Sequence, residues 1–493
     1  MFSQIKRLGA DTAIYGISTI VGRFLTFLLV PFYTNVLTTS QYGIVANVYS
    51  YLAFLNVIYN YGMESAYFRY ASALETGDPK EKFSTPFISI AITSTLFSGL
   101  ILAFAVPLTH VFLISESFYR ILYYSAGILF FDALVIVPFA SLRLARRPKF
   151  FAALKTVNIA SNVAFNIVSL LWLKWGVEGI FLSGLASSVL TFVLMIPHIV
   201  RSSSWKFSGT LYSALLKFGL PYVPVGLSGM VLQVIDRPML KAFTNDSNVG
   251  IYQANYRLGI FMNLVTSMFD YAWKPFFLSH ANDENAKALF ARVLTYFLLI
   301  MSGIFLILSF FISDLVRVTI FGRHIIHPDY WSGLGVVPVV LLAYIFGGVS
   351  IHFNAGIFIE KKTAYLLPTS ILAAVSNIEA NYFLIPKYGI MGAAYATLIA
   401  YALSAFVMYF IVQKFYRIEY EFRRIMKLAL SVGIVYALFV YAQAYGYSAV
   451  WVKCALCIVW LPVLAAMRFF EPDEIGRARR LFGSFVFKRT EVP

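Results

Sequence analysis

Ten ionisable side chains stand inside otherwise apolar stretches of this chain: Arg23, Lys155, Lys217, Arg257, Lys274 and Lys453, with Glu64, Asp132, Asp270 and Glu379. A charge at mid-membrane costs about 2.5–3.5 kcal/mol on insertion scales, so each needs a wet or paired interior. Arg23 lies near the middle of the hydrophobic stretch from Tyr15 to Gly43, among Gly16, Ser18, Thr19, Gly22 and Thr26. Arg257 lies about two turns inside a later span, near Asn255 and Asn263. A guanidinium binds phosphate oxygens in pairs through a planar fork and keeps its proton. Arg23 and Arg257 on a shared cavity would therefore suit a pyrophosphate, with Lys217 and Lys274 as further cavity candidates. Structural pairing is the competing reading for each.

The acids suggest a second kind of chemistry. Asp132 has no oppositely charged neighbour one turn away, so it is a candidate carrier of a coupling proton or sodium ion. Packing against another helix's hydroxyl is the alternative. Asp270 precedes Lys274 by four residues, which predicts an ion pair on one helix face or a ligand role. Glu64 has Arg69 close by, and a local pair competes with an ion-coupling role. Lys155 and Lys453 are expected to snorkel to an interface. Asp236 and Arg237 either pair locally or guard a cavity mouth. Cys454 and Cys457 form a CxxC inside an apolar span, and His324 and His327 an HxxH. Neither has enough companion ligands for a metal site.

The elements that must position these groups are membrane spans. Of the 493 residues 60% are hydrophobic and only 13% charged, and the mean hydropathy is +0.75. Soluble domains carry roughly 25% charged residues, so the chain reads as an all-α polytopic membrane protein. Apolar runs give about fourteen spans. The first covers about 11–32, the fourth 119–141, the seventh 211–235 and the eighth 250–273. No removable leader is expected, because the first apolar run lacks a small-residue cleavage site. The net charge of +16 sits between spans rather than on one domain, which argues against nucleic acid. Counted with the N-terminus inside, 26 Lys and Arg fall on inner segments and 7 on outer ones. That asymmetry predicts both termini in the cytoplasm.

Lys174-Trp-Gly-Val-Glu-Gly179 opens the sixth span and Lys387-Tyr-Gly-Ile-Met-Gly392 the twelfth, 213 residues later. Six spans is an even number, so the halves are parallel repeats about an axis along the membrane normal. The expected division is an N-lobe over 1–205 (spans one to six), a C-lobe over 206–415 (spans seven to twelve), and spans thirteen and fourteen with a tail over 416–493.

Several stretches carry a family resemblance: Pro31 and Thr34 in the first span, LTTSQYG from Leu37 to Gly43, and GLPYVPVGLSGMVLQVIDRPML from Gly219. Val249-Gly250-Ile251-Tyr252 and the two Gly-x-x-Gly turns add to them. Together they resemble the multidrug/oligosaccharidyl-lipid/polysaccharide exporter superfamily, and within it the polysaccharide transporters, the O-antigen-type flippases of bacterial inner membranes. The resemblance implies a non-enzymatic, multi-pass inner-membrane flippase for an undecaprenyl-diphosphate-linked oligosaccharide, with a cationic cavity between rocking lobes. It also implies membrane lipids as surroundings, and a polysaccharide polymerase and other export machinery as partners. A multidrug cation exporter of the same fold would require an acidic cavity, whereas the charges here lean basic. A membrane glycan polymerase or ligase would require a sizeable outer loop with catalytic groups, and the longest, Ser313 to Ser332, is short.

Overall fold

The computed structural model describes residues 22, 25, 27–72, 78–447, 449–472 and 474. These residues are overwhelmingly helical. Helix α1 (Phe27–Val36) leads to Thr38, which caps α2 (Thr39–Asn60). The Thr38 hydroxyl accepts from the Gln41 N–H while the Gln41 side chain accepts from the Thr38 N–H, the reciprocal arrangement that Thr-x-x-Gln favours. The helix breaks at Tyr61 and Gly62, both at positive φ, and resumes as α3 (Met63–Ser72). Next come α4 (Pro79–Ala103), α5 (Ala105–Val111), α6 (Tyr119–Leu134), α7 (Ile136–Leu144), α8 (Pro148–Ile167) and α9 (Gly176–Ser202). A π-helical turn, Val168–Trp172, ends the α8 run.

The second half begins with α10 (Gly209–Gly219) and α11 (Tyr222–Val234), bent by 42° at the intervening Leu220-Pro221. α12 (Asp236–Phe243), α13 (Asp246–Leu258) and α14 (Ile260–Ser279) follow. The 32-residue α15 (Ala286–Arg317) leads into a small hairpin of β1 (Thr319–Ile320) and β2 (Arg323–His324). The chain continues through α16 (Val336–Ile359), α17 (Leu366–Tyr388), α18 (Ile390–Gln413), α19 (Phe422–Ala444) and α20 (Val450–Ala466).

Among the described residues, nine helices or helix runs are long and apolar enough to cross a membrane, or ten with the bent α10–α11 pair counted as one. The expected spans from the second onward each fall on one helix or on helices in tandem. The first expected span lies largely outside the described residues, and the other differences have physical causes. α17 carries Asn377, Glu379 and Asn381 in its middle, α13 and α14 are interrupted at Gly259, and α20 is only 17 residues long.

The two related turns fold alike. Gly176 and Gly389, 213 residues apart, both adopt φ +56°. Beyond each turn the second glycine meets the preceding run: a methyl at Gly179 would lie 3.1 Å from Ser169, and one at Gly392 2.2 Å from the Leu384 carbonyl. α8 and α17 also share an asparagine ladder. Asn166 donates to the Asn162 carbonyl and side chain at 2.8 and 3.1 Å, and Asn381 to those of Asn377 at 2.9 and 3.0 Å.

α19 and α20 are fastened to α15 at both ends. Lys453 does not snorkel: it is 2% exposed and its ammonium lies 2.6 Å from Asp314. The partner sits on a helix nearly 140 residues away in sequence, which a span-by-span reading does not see. At the opposite end Arg424 bonds Glu474 at 2.9 Å, Tyr296 donates to Glu474 at 2.6 Å, and Arg292 pairs with Glu471 at 3.2 Å.

Candidate functional site: an amide- and tyrosine-lined cavity

A cavity of about 680 Å³ lies between α2 and the helices α11, α12, α13, α14, α16 and α18. Its wall is polar on a regular beat. On α16 the lining residues are Tyr344, Gly347, the adjacent Ser350 and Ile351, and Asn354, a spacing of three or four that keeps them on one helix face. α14 contributes Asn263 and Thr266, α18 contributes Tyr401 and Ser404, and α2 contributes Tyr49 and Ser50.

Two arginines reach this wall in different electrostatic states. Arg237 is buried and its guanidinium is spoken for. It pairs with Asp236, donates to Gln253 Oε1 at 3.0 Å and to the Gln233 carbonyl at 2.6 Å, and stands 4.1 Å from the Tyr256 ring centroid. Tyr252 donates to the other Asp236 oxygen. Asp236–Arg237 is therefore a local pair, and Arg237 is also part of the cavity wall. Arg257, one turn beyond Gln253, is half-buried, lines the cavity, and has no hydrogen bond or ion pair to any described residue. A guanidinium held in a protein interior without an acceptor is an anion site in waiting.

The remaining candidates are dispersed. Arg23 lies outside the described residues. Lys217 is exposed on α10 and does not line the cavity. Lys274 and Asp270 are exposed on α14 and form no ion pair; the Lys274 ammonium instead lies 4.6 Å from the Phe358 ring centroid. Asp132 is not alone: Ser188 on α9 donates to it at 2.7 Å. Lys155 holds its ammonium 4.3 Å from the Phe139 ring centroid. Glu64 pairs with Arg143 on α7, not with Arg69, which sits 4.8 Å from the Phe218 ring centroid. Among the described residues no group of three or more His, Cys, Asp or Glu could hold a metal.

Glycines mark close backbone contacts toward both ends of α2, on either side of its cavity-lining residues. At the N-termini of α2 and α13 a methyl on Gly43 would lie 1.8 Å from the Asp246 carbonyl, and one on Gly250 2.0 Å from the Thr39 carbonyl. Residues 39 and 43 correspond to 246 and 250 by one step of 207 residues, so the contact is reciprocal, as at a twofold interface. Thr39 and Ser247 hydroxyls bond across it at 2.7 Å. At the far end a methyl on Gly62 would lie 2.0 Å from the Gly219 carbonyl.

Its depth in an apolar span marks Arg257 in the sequence, whereas nothing local to each tyrosine separates Tyr344 and Tyr401 from the other 30. The polar stripe on α16 and the Tyr401–Ser404 step on α18 are the features that mark them.

The family model described as "Polysaccharide biosynthesis protein" matches residues 8–281. No curated protein matches the chain. Among solved structures, the lipid II flippase MurJ in an inward closed conformation is 17% identical, with 93% of this chain and 99% of that one covered at a TM-score of 0.71. An inward-facing MATE multidrug transporter is 14% identical over 83% and 97% of the two chains, TM-score 0.61. A Vibrio cholerae MATE transporter in the bent form is 12% identical over 84% and 97%, TM-score 0.55. These similarities establish a multi-pass transporter fold of the MurJ and MATE kind.

Proposed function

The chain belongs to the polysaccharide biosynthesis protein family, and from that premise we propose that it flips a lipid-linked glycan across a membrane. In the finer reading the substrate is an undecaprenyl-diphosphate-linked oligosaccharide, the membrane is the bacterial inner membrane, and both termini face the cytoplasm. The observation that carries the proposal is Arg257: a guanidinium on a polar cavity with no hydrogen-bond or ion-pair partner among the described residues, with close glycine contacts toward both ends of α2. It receives the diphosphate, the amide- and tyrosine-lined wall receives the sugars, and the prenyl tail stays in lipid. No bond is made or broken. Transport proceeds by exchanging which glycine contact is closed.

The excess of basic residues on one set of loops supports placing the α2 and α13 N-termini outside and the Gly62 end inside. Asp132, held by one serine hydroxyl, is the proposed carrier of a coupling proton or sodium ion, with Glu64 and Asp270 the lesser candidates. The Arg23, Lys217 and Lys274 side chains remain proposed substrate contacts for other stages of the cycle.

The test is translocation of a fluorescent lipid-linked glycan in proteoliposomes. Arg257→Ala should reduce the rate about ten- to a hundredfold, the range for losing a charge-assisted bond to a buried anion. Arg257→Lys should retain part of it, because the charge survives and the fork does not. Full transport by Arg257→Ala at equal expression would remove the anion site from this cavity.

A further inference from the structure

We infer that the connection between α18 and α19 binds a phospholipid headgroup that carries both a phosphate and a primary ammonium, as phosphoethanolamine does. A pocket of about 480 Å³ lies there, with Tyr409, Gln413, Arg417, Glu419, Tyr420 and Phe422 among its lining residues, none of them shared with the central cavity. Both helices are long and apolar enough to cross a membrane, so the chain that joins them sits where two spans end, at the level of lipid headgroups. The helix turns next to the pocket carry exposed apolar side chains, Phe406 and Phe410 on α18 and Met426 and Leu430 on α19. Such surface suits the acyl region beneath a headgroup and not water. The inference needs only the membrane-spanning fold.

The connection is held in shape from within. Gln413 accepts from the Ile418 N–H at 2.9 Å and donates to the Ile418 carbonyl at 2.7 Å. Burial then alternates: Tyr416, Ile418 and Tyr420 are buried, Arg417 and Glu419 exposed, the period of an extended chain. Alternate residues of such a chain stand about 6.5 Å apart, so Arg417 and Glu419 present opposite charges on one face. Neither makes a hydrogen bond or ion pair with any described residue, the other included. On the inward side the Tyr420 ring packs 5.4 Å from that of Phe353, and its hydroxyl is a buried polar group without a partner. Tyr409 and Phe422 meet edge to face at 5.8 Å and bring apolar surface to the same pocket. A guanidinium binds phosphate oxygens through its fork, and a carboxylate accepts the N–H groups of a primary ammonium. A purely anionic headgroup would face Glu419 as a like charge, and a quaternary ammonium has no N–H to give it.

The experiment places the full chain in nanodiscs of matched acyl chains: phosphatidylglycerol alone, or phosphatidylglycerol mixed with either phosphatidylethanolamine or phosphatidylcholine. Hydrogen exchange at the amides of 415–421 is the measurement. Exchange should be about two- to fivefold slower with phosphatidylethanolamine than in the other two discs, the range for one exposed ion pair. Glu419→Gln should remove that difference, and Arg417→Gln should bring all three discs to the fastest rate. The α13 amides should exchange alike in every disc. The lipid comparison is made on the unsubstituted protein, so it stands even where a variant fails to accumulate. Equal exchange with phosphatidylethanolamine and phosphatidylcholine overturns the site, as does a phosphatidylethanolamine effect that survives Glu419→Gln. Equal slowing by phosphatidylglycerol alone would make this a plain anion site and overturn the paired-charge reading. If the α13 amides shift together with 415–421, the bilayer and not the headgroup is responsible, and the site falls. The flippase reading survives each of these results, because the pocket lies apart from Arg257.

Discussion

Glycines make close backbone contacts toward both ends of α2, but not of the same kind. At the capped end, where α2 and α13 begin, each helix presses a glycine into the other's first turn, and both would-be methyls fall within 2.0 Å of backbone. Two side-chain hydrogen bonds reinforce the closure from the α15–α16 connection. Asn35 on α1 donates to the His324 carbonyl at 2.8 Å, and Tyr330, 1% exposed, donates to the Leu37 carbonyl at 3.1 Å. At the kinked end the fit is one-sided. A methyl on Gly62 would strike the Gly219 carbonyl at 2.0 Å, whereas one on Gly219 would sit 3.1 Å from the Gly62 and Tyr61 carbonyls. Nearby reinforcement is aromatic, Arg69 over Phe218 and Phe218 edge-on to Tyr70. The capped end is interlocked and hydrogen-bonded; the kinked end is a looser seam. A chain built this way is expected to open first at the kinked end.

The largest expected effect comes from breaking the interlock. Gly43→Ala and Gly250→Ala each drive a methyl into backbone that no rotamer change can move, so α2 and α13 must separate. Overpacking of this kind costs roughly 1–3 kcal/mol or more, and transport should fall at least about tenfold. Thiol labelling of a cysteine introduced at Ser50 should rise from the capped side in the same variants. Gly219→Ala sharpens the contrast: a neighbour needs to yield only a few tenths of an ångström, and transport should stay within about twofold of wild type. Equal damage from Gly43→Ala and Gly219→Ala would erase the distinction between the ends.

A smaller effect is expected from the latch. Tyr330→Phe keeps the buried ring and deletes one hydrogen bond, worth about 0.5–1.5 kcal/mol. Because the bond exists only while the capped end is closed, its loss should raise capped-side labelling about two- to tenfold. Under the proposed alternation of the two openings, labelling from the kinked side should fall in step. An unchanged labelling ratio would show that Tyr330 packs without latching.

How much of this was legible depends on how far apart the partners are. The start of α2 is readable from Thr38 and Gln41, three residues apart, because a capping box is local. Asp236–Arg237 is readable for the same reason, and Arg257 is readable from its depth in an apolar span. Asp132's hydroxyl partner on α9, Glu64's partner on α7 and Lys453's partner on α15 depend on which helices pack together. No periodicity within one helix reports that. The failure of the Asp270–Lys274 pair is a different lesson. Spacing of four brings two side chains to one face, but a nearby ring, Phe358, competes for the ammonium. Tyr344 and Tyr401 were hidden by abundance: with 32 tyrosines in the chain, only the intervening Gly347 and the polar stripe mark these two.

The smallest predicted effect tests whether the kinked end alone responds to acid. α15 runs from the hairpin beside the capped end back to Arg292 and Tyr296, so the Glu421, Arg424, Glu471 and Glu474 cluster lies on the kinked side. Burial pushes the Glu474 carboxyl up. Hydrogen bonds from Tyr296, the Glu471 N–H and Arg424, together with the Arg424 charge, outweigh that and hold it below the usual carboxylate range. A carboxylate depressed in the folded state contributes stability that is present above its unfolded pKa and lost as pH falls through the lower, folded value. The attachment of the C-terminal segment to α15 should therefore be intact at neutral pH and loosen on acidification. Hydrogen exchange at the amides of 468–472 is the measurement. Protection should decline toward the acid end in wild type, while Glu474→Gln should show reduced protection already at neutral pH and little further change. The capped-side amides of α13 should stay flat in both. If instead the α13 amides lose protection together with 468–472, the two ends are not separately stabilised and the interlock is weaker than its geometry indicates.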